Sequence, residues 1–441
     1  MRPRPRRAPK PGSPKALLEG RLWEAWKTAA REAEVRSLKE RGAGPRDLRF
    51  LGIRGRQSVT LESSQERGRR GTEMLVKDRG QGSDDLTIER QADASGPARP
   101  WRREELEIGD PAFDAEFSVQ GNAQLGQAVL DHPTRSTLAG LLRGTVTLRQ
   151  GDAIAVEASF RRGELRVFFE HPDEVSGEDL AGPLAELLDQ ALSLVRRLAM
   201  PKDLASRLAN HLGSGGGSAD PEAGVRLASL RRLLRDFPEH PAARRAVRAA
   251  RADRHDEVRL EGAIAEGERG RRTILALVPD PRISDDCAAR ALVALEDSLP
   301  GELAEVVLRG ALEGRRHALA RACLEALDRL GRTEAEALMV SALSSTDPSV
   351  ARTAAEALGR LGSVEAVPAL AALQERGSRE LSGAARQAIA QIQSRLKGAG
   401  YGQLSLAGKE AGALALVPAA EPGRLSLAED ESNASLKVGS R

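Results

Sequence analysis

Apolar positions change their spacing twice along the chain. Over residues 15–40, Leu18, Leu22, Trp26 and Ala29 recur at helical intervals, with Arg and Lys on the other faces. This predicts one amphipathic helix, stopped by Gly42, Gly44 and Pro45. From Leu48 to Glu170 the interval becomes two. Val59-Thr60-Leu61, Met74-Leu75-Val76, Leu86-Thr87-Ile88, Phe117-Ser118-Val119 and Val146-Thr147-Leu148 are short strand-like runs, and 156–160 and 165–169 add two more. Asp78-Arg79-Gly80, Gly82-Ser83-Asp84, Gln150-Gly151-Asp152 and Arg162-Gly163 supply turns. Helical spacing returns briefly over 123–131 and 134–142, then over 177–198, where Leu184, Leu187, Leu188, Ala191, Leu192 and Val195 share a face. The expectation is a multidomain protein with a basic tail (1–13), an amphipathic helix (14–44) and an α+β domain (45–200). A Gly/Ser linker (201–219) follows, with a hinge at Gly213-Ser-Gly-Gly-Gly-Ser218.

Beyond the hinge the sequence resembles itself. Val225-Arg226-Leu227 returns 33 positions on as Val258-Arg259-Leu260, and Ala291-Leu-Val-Ala-Leu295 returns 32 on as Cys323-Leu-Glu-Ala-Leu327. Leu327, Leu330 and Gly331 return 31 on as Leu358, Leu361 and Gly362. Such a period signals stacked helical repeats. In the clearest unit Asp347 suits an N-cap, Pro348 the first helical position, and Gly362 a left-handed C-terminal cap. Val350, Ala354, Ala357, Leu358 and Leu361 form its buried stripe, and Pro368 sits early in the second helix.

That unit, Asp347-Pro-Ser-Val-Ala-Arg-Thr-Ala-Ala-Glu-Ala-Leu-Gly-Arg-Leu-Gly362 followed by Ala366-Val-Pro-Ala-Leu370, resembles the HEAT-like repeats of the phycobilisome-lyase class. The resemblance covers 220–396 in about six units, beginning near Pro221, Arg254, Ser284, Arg315, Asp347 and Ser378. It implies an all-α, right-handed HEAT-type solenoid whose second helices line a concave face. It does not imply bilin chemistry. Earlier units are degraded, with Glu266 where an apolar residue is expected. In the N-terminal half, Ile108-Gly-Asp-Pro-Ala-Phe-Asp-Ala-Glu-Phe-Ser-Val-Gln-Gly121 is faintly similar to a domain of uncharacterised bacterial proteins. That likeness implies a fold only.

Composition adds limits. Lys plus Arg number 67 against 64 for Asp plus Glu, so the whole-chain field is not that of a strongly basic nucleic-acid binder. No apolar region follows the basic N-terminus and no window approaches a membrane span, so the cytoplasm is expected. Cys287 and Cys323 lie on apolar stripes and read as small core residues. Six scattered histidines show no metal-ligand spacing, and no nucleophile–base pair is recognisable. No cofactor is expected. Asp285 and Asp286 read as first-turn acids. Gly402 to Lys409 departs from the phosphate-loop pattern. The low-complexity tail, 397–441, carries three echoes, at 402–407, 412–417 and 423–428, each able to add a strand to a sheet edge.

One polar constellation stands out. Arg244, Arg245, Arg248 and Arg251 crowd the second helix of the first unit, and Arg269, Arg271 and Arg272 open that of the next. Later second helices carry Glu302, Glu305, Glu334, Glu336 and Glu365. A groove graded from positive to negative would orient an acidic partner. The reading is a non-catalytic scaffold binding a protein of unknown identity. The alternative is a nucleic-acid binder using the same arginines and the N-terminal tail, although Phe237 is the only aromatic between Pro201 and Leu396 to stack on a base. An enzyme with its site in the α+β domain ranks third.

Overall fold

The computed structural model describes residues 14–41, 48–66, 69–80, 86–91, 105–147, 153–170, 177–295, 298–395, 404–406 and 414–416. The basic tail, the Gly42/Gly44/Pro45 stop, the 82–84 and 150–152 turns and the third tail echo lie outside these. The chain divides into two compact units, Met1–Thr273 and Ile274–Arg441.

The first unit opens with α1 (Pro14–Glu32). The helix expected over 15–40 ends earlier than its spacing suggests. Glu34 is left-handed at φ 56°, Val35 N–H donates to the Ala30 carbonyl, and Glu34 N–H donates to that of Arg31. Together these form a Schellman cap, which usually places glycine at the left-handed residue. The chain turns there into β1 (Arg36–Arg41), which pairs with β2 (Arg49–Arg54). Seven more strands follow: β3 (Gln57–Glu66), β4 (Arg69–Asp78), β5 (Leu86–Arg90), β6 (Phe117–Gly121), β7 (Thr145–Thr147), β8 (Ala153–Arg161) and β9 (Glu164–Glu170). The sheet order is β1-β2-β3-β4-β9-β8-β5-β6, with β7 beside β8, and every pairing is antiparallel.

Alternation fixes which face is covered. Val59, Leu61, Met74, Val76, Leu165 and Val167 are all buried and stand opposite one another across β3, β4 and β9. Each is worth about 1.5–3 kcal/mol when buried. An exposed pair such as Arg161–Glu89 contributes at most about 1 kcal/mol, so the apolar face sets the register. Helix α5 (Gly177–Leu198) packs on this face and against α1. Trp26 Nε1 donates to Thr72 Oγ1 at 2.9 Å, and Gln57 Nε2 to the Leu192 carbonyl at 2.6 Å, so the buried polar groups beneath the helices are satisfied.

Short helix α2 (Pro111–Glu116) leads into β6, and α3 (Ala123–Val129) and α4 (His132–Arg143) lie between β6 and β7 in the chain. After α5 come α6 (Leu204–Asn210), α7 (Ala223–Asp236), α8 (Pro241–Ala250), α9 (Asp256–Ala265) and α10 (Arg271–Leu277). The division between units falls within α10, not at the Gly/Ser run. The 201–219 stretch read as a linker contains α6, and its loop is closed by the Asp220 N–H donating to the His211 carbonyl at 2.8 Å.

The second unit holds α11 (Asp285–Val293), α12 (Gly301–Glu313), α13 (His317–Arg329), α14 (Glu336–Ala342), α15 (Pro348–Leu361), α16 (Val367–Arg376) and α17 (Arg379–Arg395). First helices follow one another, α11 on α13, α13 on α15, α15 on α17, while α12 packs on α14. Small residues permit the approach: a Cβ on Gly359 of α15 would stand 3.0 Å from Ala388 Cα of α17. Polar ties recur at fixed separations. Glu305 accepts from Arg332 at 2.9 Å, and Glu336 accepts from Ser363 N–H at 2.8 Å, each spanning 27 residues. Arg316 donates to the Asp280 and Ile283 carbonyls, and Arg395 to those of Gly359 and Gly362, each pair spanning 36 and 33 residues. Asp285 is more than a first-turn acid. It accepts from Ala318 and Leu319 N–H, capping α13, whose own N-cap residue Arg316 makes no side-chain cap.

Asp347 caps α15 as expected, accepting from Ser349 and Val350 N–H. Gly362 departs from expectation. It is extended at φ −65°, ψ 155°, whereas Gly331, its counterpart one repeat earlier, is left-handed at φ 65°. Glycine suits position 362 because a Cβ would press on the Leu358 carbonyl, 2.6 Å away. The first two tail echoes pair with each other, β10 (Leu404–Leu406) against β11 (Leu414–Leu416).

Glu34 and Arg315 hold left-handed conformations at φ 56° and 53° with side chains that disfavour them. Relief of that strain, less the added entropy of the unfolded chain, predicts that Glu34→Gly and Arg315→Gly each stabilise by roughly 0.5–1 kcal/mol. Urea denaturation of the single variants measures this.

Candidate functional site

The seven arginines separate into distinct roles. Helix α8 buries Ala242, Ala243, Ala246, Val247 and Ala250, leaving Arg244, Arg245 and Arg248 exposed on the opposite face. Their i, i+3 and i+4 spacing makes one basic stripe. Arg244 has a loose partner, Glu239 at 3.7 Å, and no ion pair of Arg245 or Arg248 is present among the described residues. Arg251, just past the helix, is engaged by Glu266 at 2.7 Å, which accounts for a carboxylate where the repeat pattern favours an apolar residue. Arg269 and Arg272 are exposed in the 3-10 turn and at the start of α10, and Arg271 is half-buried between them. The acidic residues expected to complete a graded groove fall in the other compact unit. There Glu305 and Glu334 hold Arg332, and Glu336 holds Ser363.

Two arginines, Arg226 and Arg135, are fully buried, which no local pattern announces. Arg226, the centre of the first Val-Arg-Leu echo, donates to the Asp220 and Pro221 carbonyls and, with two 2.7 Å bonds, to Asp253. Arg259 of the second echo donates to the Asp253 and Arg254 carbonyls, again six and five residues back. The echo is therefore a loop staple repeated from one unit to the next.

Arg135 of α4 is 2% exposed. Its guanidinium donates to both oxygens of Asp220 at 3.0 Å, to Asp110 at 2.8 Å and to the Leu130 carbonyl at 2.7 Å. Asp220 also accepts from the backbone N–H of His132 and Glu222. Burial works to raise the Asp220 carboxyl, but the Arg135 bonds and charge outweigh it and hold the carboxyl below its ordinary value. Asp110 belongs to the Ile108-Gly109-Asp110 stretch singled out in the sequence. It also caps α2 through Phe113 N–H, while Asp114 gathers the Ile108 and Gly109 amides. Gly109 is left-handed at φ 93°, and a Cβ there would strike Gly224 at the start of α7; a Cβ on Gly224 would overlap the Gly109 carbonyl. The motif thus clasps the first repeat helix by direct backbone contact.

His211 lies beside this pair, 3% exposed. Gln127 Nε2 donates to Ser229 Oγ, and the same hydroxyl shares a hydrogen bond of 2.7 Å with His211 Nδ1. Its Nε2 is buried with no hydrogen-bond partner among the described residues. Burial pushes the ring's pKa down to about 4, against the opposing pull of Asp220 and Asp131. Burial likewise pushes the Cys323 thiol up to about 12, so it is not a reactive thiolate at neutral pH.

Residues 304–390 match the family model of HEAT repeats. No curated protein and no solved structure matches the chain. The helical second unit is thus HEAT-like over α12 to α17. Among the described residues no helix is long and apolar enough to cross a membrane.

Two expectations follow. Asp220→Ala strands a buried guanidinium and should destabilise by about 3–5 kcal/mol, whereas the double variant Arg135→Met/Asp220→Leu should lose much less. Chemical denaturation of the three proteins decides it. For His211 the folded pKa lies below the unfolded value, so the unfolded chain binds the extra proton. Its contribution is present above about pH 6.5 and falls away by about pH 4, a loss of about 3 kcal/mol. A His211→Gln variant should flatten that part of the stability–pH curve.

Proposed function

We propose that the protein is a non-catalytic interaction scaffold, a right-handed HEAT-type solenoid joined to an α+β domain, working in the cytoplasm. HEAT repeats commonly serve as such scaffolds, and the match at 304–390 supports this reading. Its partner is an acidic protein, received on the concave face by Arg244, Arg245 and Arg248, with Arg269 and Arg272 as further contacts. Arg251 and Arg271 are less available, one paired with Glu266 and the other half-buried.

The observation that carries the proposal is the α8 stripe. Three arginines on one exposed helix face, two with no ion pair among the described residues, give a directional positive surface on a rigid element. The same stripe would attract phosphates, so nucleic acid is the competing partner class.

Affinity capture with the full chain, with and without nuclease, is expected to retain protein partners after nuclease treatment. A variant with Arg244, Arg245, Arg248 and Arg272 replaced by Gln should lose them at least tenfold. Capture that needs nucleic acid and falls steeply with salt would replace the protein partner by a polyanion. Retention unchanged in the variant would remove the stripe from function.

A further inference from the structure

A cavity of about 180 Å³ opens in the second unit between the α12–α13 and α14–α15 turns. One turn contributes Arg315 and His317, the other Ser344, Ser345 and Thr346, and the end of α12 supplies apolar wall. A water takes about 30 Å³ of liquid, and pockets for whole organic ligands begin near about 300 Å³, so this space suits one compact polar group.

Its lining carries one sign of charge. Cavities in the first unit set carboxylates beside their arginines, Glu89 and Glu164 with Arg161, and Asp131 and Asp220 with Arg207. Here no lining residue is acidic. Asp347, whose charge reaches His317, is next along the chain, but its carboxylate is occupied by Ser349 N–H, Ser349 Oγ and Val350 N–H. Donors are left over. Arg315 is exposed, and its guanidinium has no hydrogen bond or ion pair among the described residues. The Ser344 and Thr346 hydroxyls are likewise unbonded there, on exposed residues. Ser345 Oγ accepts from Asp347 N–H, which leaves its proton to give. Ser341 alone of the lining serines spends its proton inside, on the Leu338 carbonyl.

A second observation is conformational. Arg315 closes α12 in the left-handed region at φ 53°, with Arg316 N–H donating to the Ala311 carbonyl. Gly331 does the same for α13, where Arg332 N–H donates to the Leu327 carbonyl. Glycine is the usual residue at this point of the cap. Arginine at 315 strains the turn and gains no polar partner among the described residues, so its head is left for a ligand.

We propose that this cavity binds a phosphoryl group, held by the Arg315 guanidinium and the hydroxyls of Ser344, Ser345 and Thr346. Donors arriving from two turns suit a tetrahedral oxyanion with three or more free oxygens better than a planar carboxylate with two. The site shares no residue with the α8 stripe and does not rest on the scaffold reading.

The test is a calorimetric titration of the full chain, at fixed ionic strength in phosphate-free buffer, with inorganic phosphate, phenyl phosphate and acetate. Inorganic phosphate is expected to bind saturably in the millimolar range, and acetate at least tenfold more weakly. Phenyl phosphate binding as tightly assigns the site to organic phosphates, and a tenfold preference for the inorganic ion assigns it to free phosphate. Arg315→Gly relieves the left-handed turn, so it should keep the unfolding midpoint or raise it while weakening phosphate at least tenfold. The exposed double variant Ser344→Ala/Thr346→Ala should weaken it severalfold. Because the α8 stripe also attracts phosphate, a variant with Arg244, Arg245 and Arg248 replaced by Gln is titrated alongside and should keep the binding. No saturable binding, acetate binding as tightly, full affinity in a folded Arg315→Gly protein, or loss in the stripe variant would each overturn the proposal.

Discussion

The bidentate pair between Arg135 and Asp220 is the contact on which the first compact unit depends. Taking two such charges out of water costs several kcal/mol per ion, and their attraction offsets this only if every remaining donor and acceptor is paired. Here nearly every group around the pair is engaged. Asp110 and the Leu130 carbonyl each receive a further guanidinium N–H, and the His132 and Glu222 amides donate to the carboxylate. Completeness demands position. The end of α3, the start of α4, the 108–110 turn and the Gly/Ser loop can satisfy it only in one mutual arrangement. The Gly109–Gly224 backbone contact then admits α7 and no larger residue at either point.

From α7 the constraint passes outward. Arg226 binds the loop at 220–221 and Asp253 beyond α8, which fixes α8 between two anchored ends. The arginine stripe is therefore presented by a helix whose place is set by buried charge on one side and an alanine-rich face on the other. A flexible Gly/Ser hinge would have left that surface undirected. The loop is instead closed by the Asp220–His211 backbone bond, with Gly213 and Gly216 in left-handed turns.

The second unit reaches order by repetition. Glu305–Arg332 and Glu336–Ser363 are the same tie advanced by 31 residues, and Arg316 and Arg395 make the same pair of carbonyl contacts. Each tie joins nearest neighbours only, as expected of stacked repeats whose stability is a sum of unit and interface terms. This use of carboxylates explains why several acids that looked like a partner-facing surface are internal links.

By itself the sequence determined what depends on local spacing. The alternation of β3, β4, β8 and β9, the long α5, the 31–33-residue repeat and the Asp347 cap were legible because each is written in neighbouring residues. It misjudged α1 and left β1 and β2 unannounced, because a left-handed Glu34 carries none of the glycine signal that marks a cap. It overlooked Arg135, Arg226 and His211 because a buried charge looks like any surface charge until its partners arrive from far along the chain. Arg135 and Asp220 are separated by 85 residues, and His211 shares its proton network with Gln127 and Ser229 from other helices. Such groups are buried only where folding brings a complete set of partners together, and that meeting is decided by the tertiary structure alone.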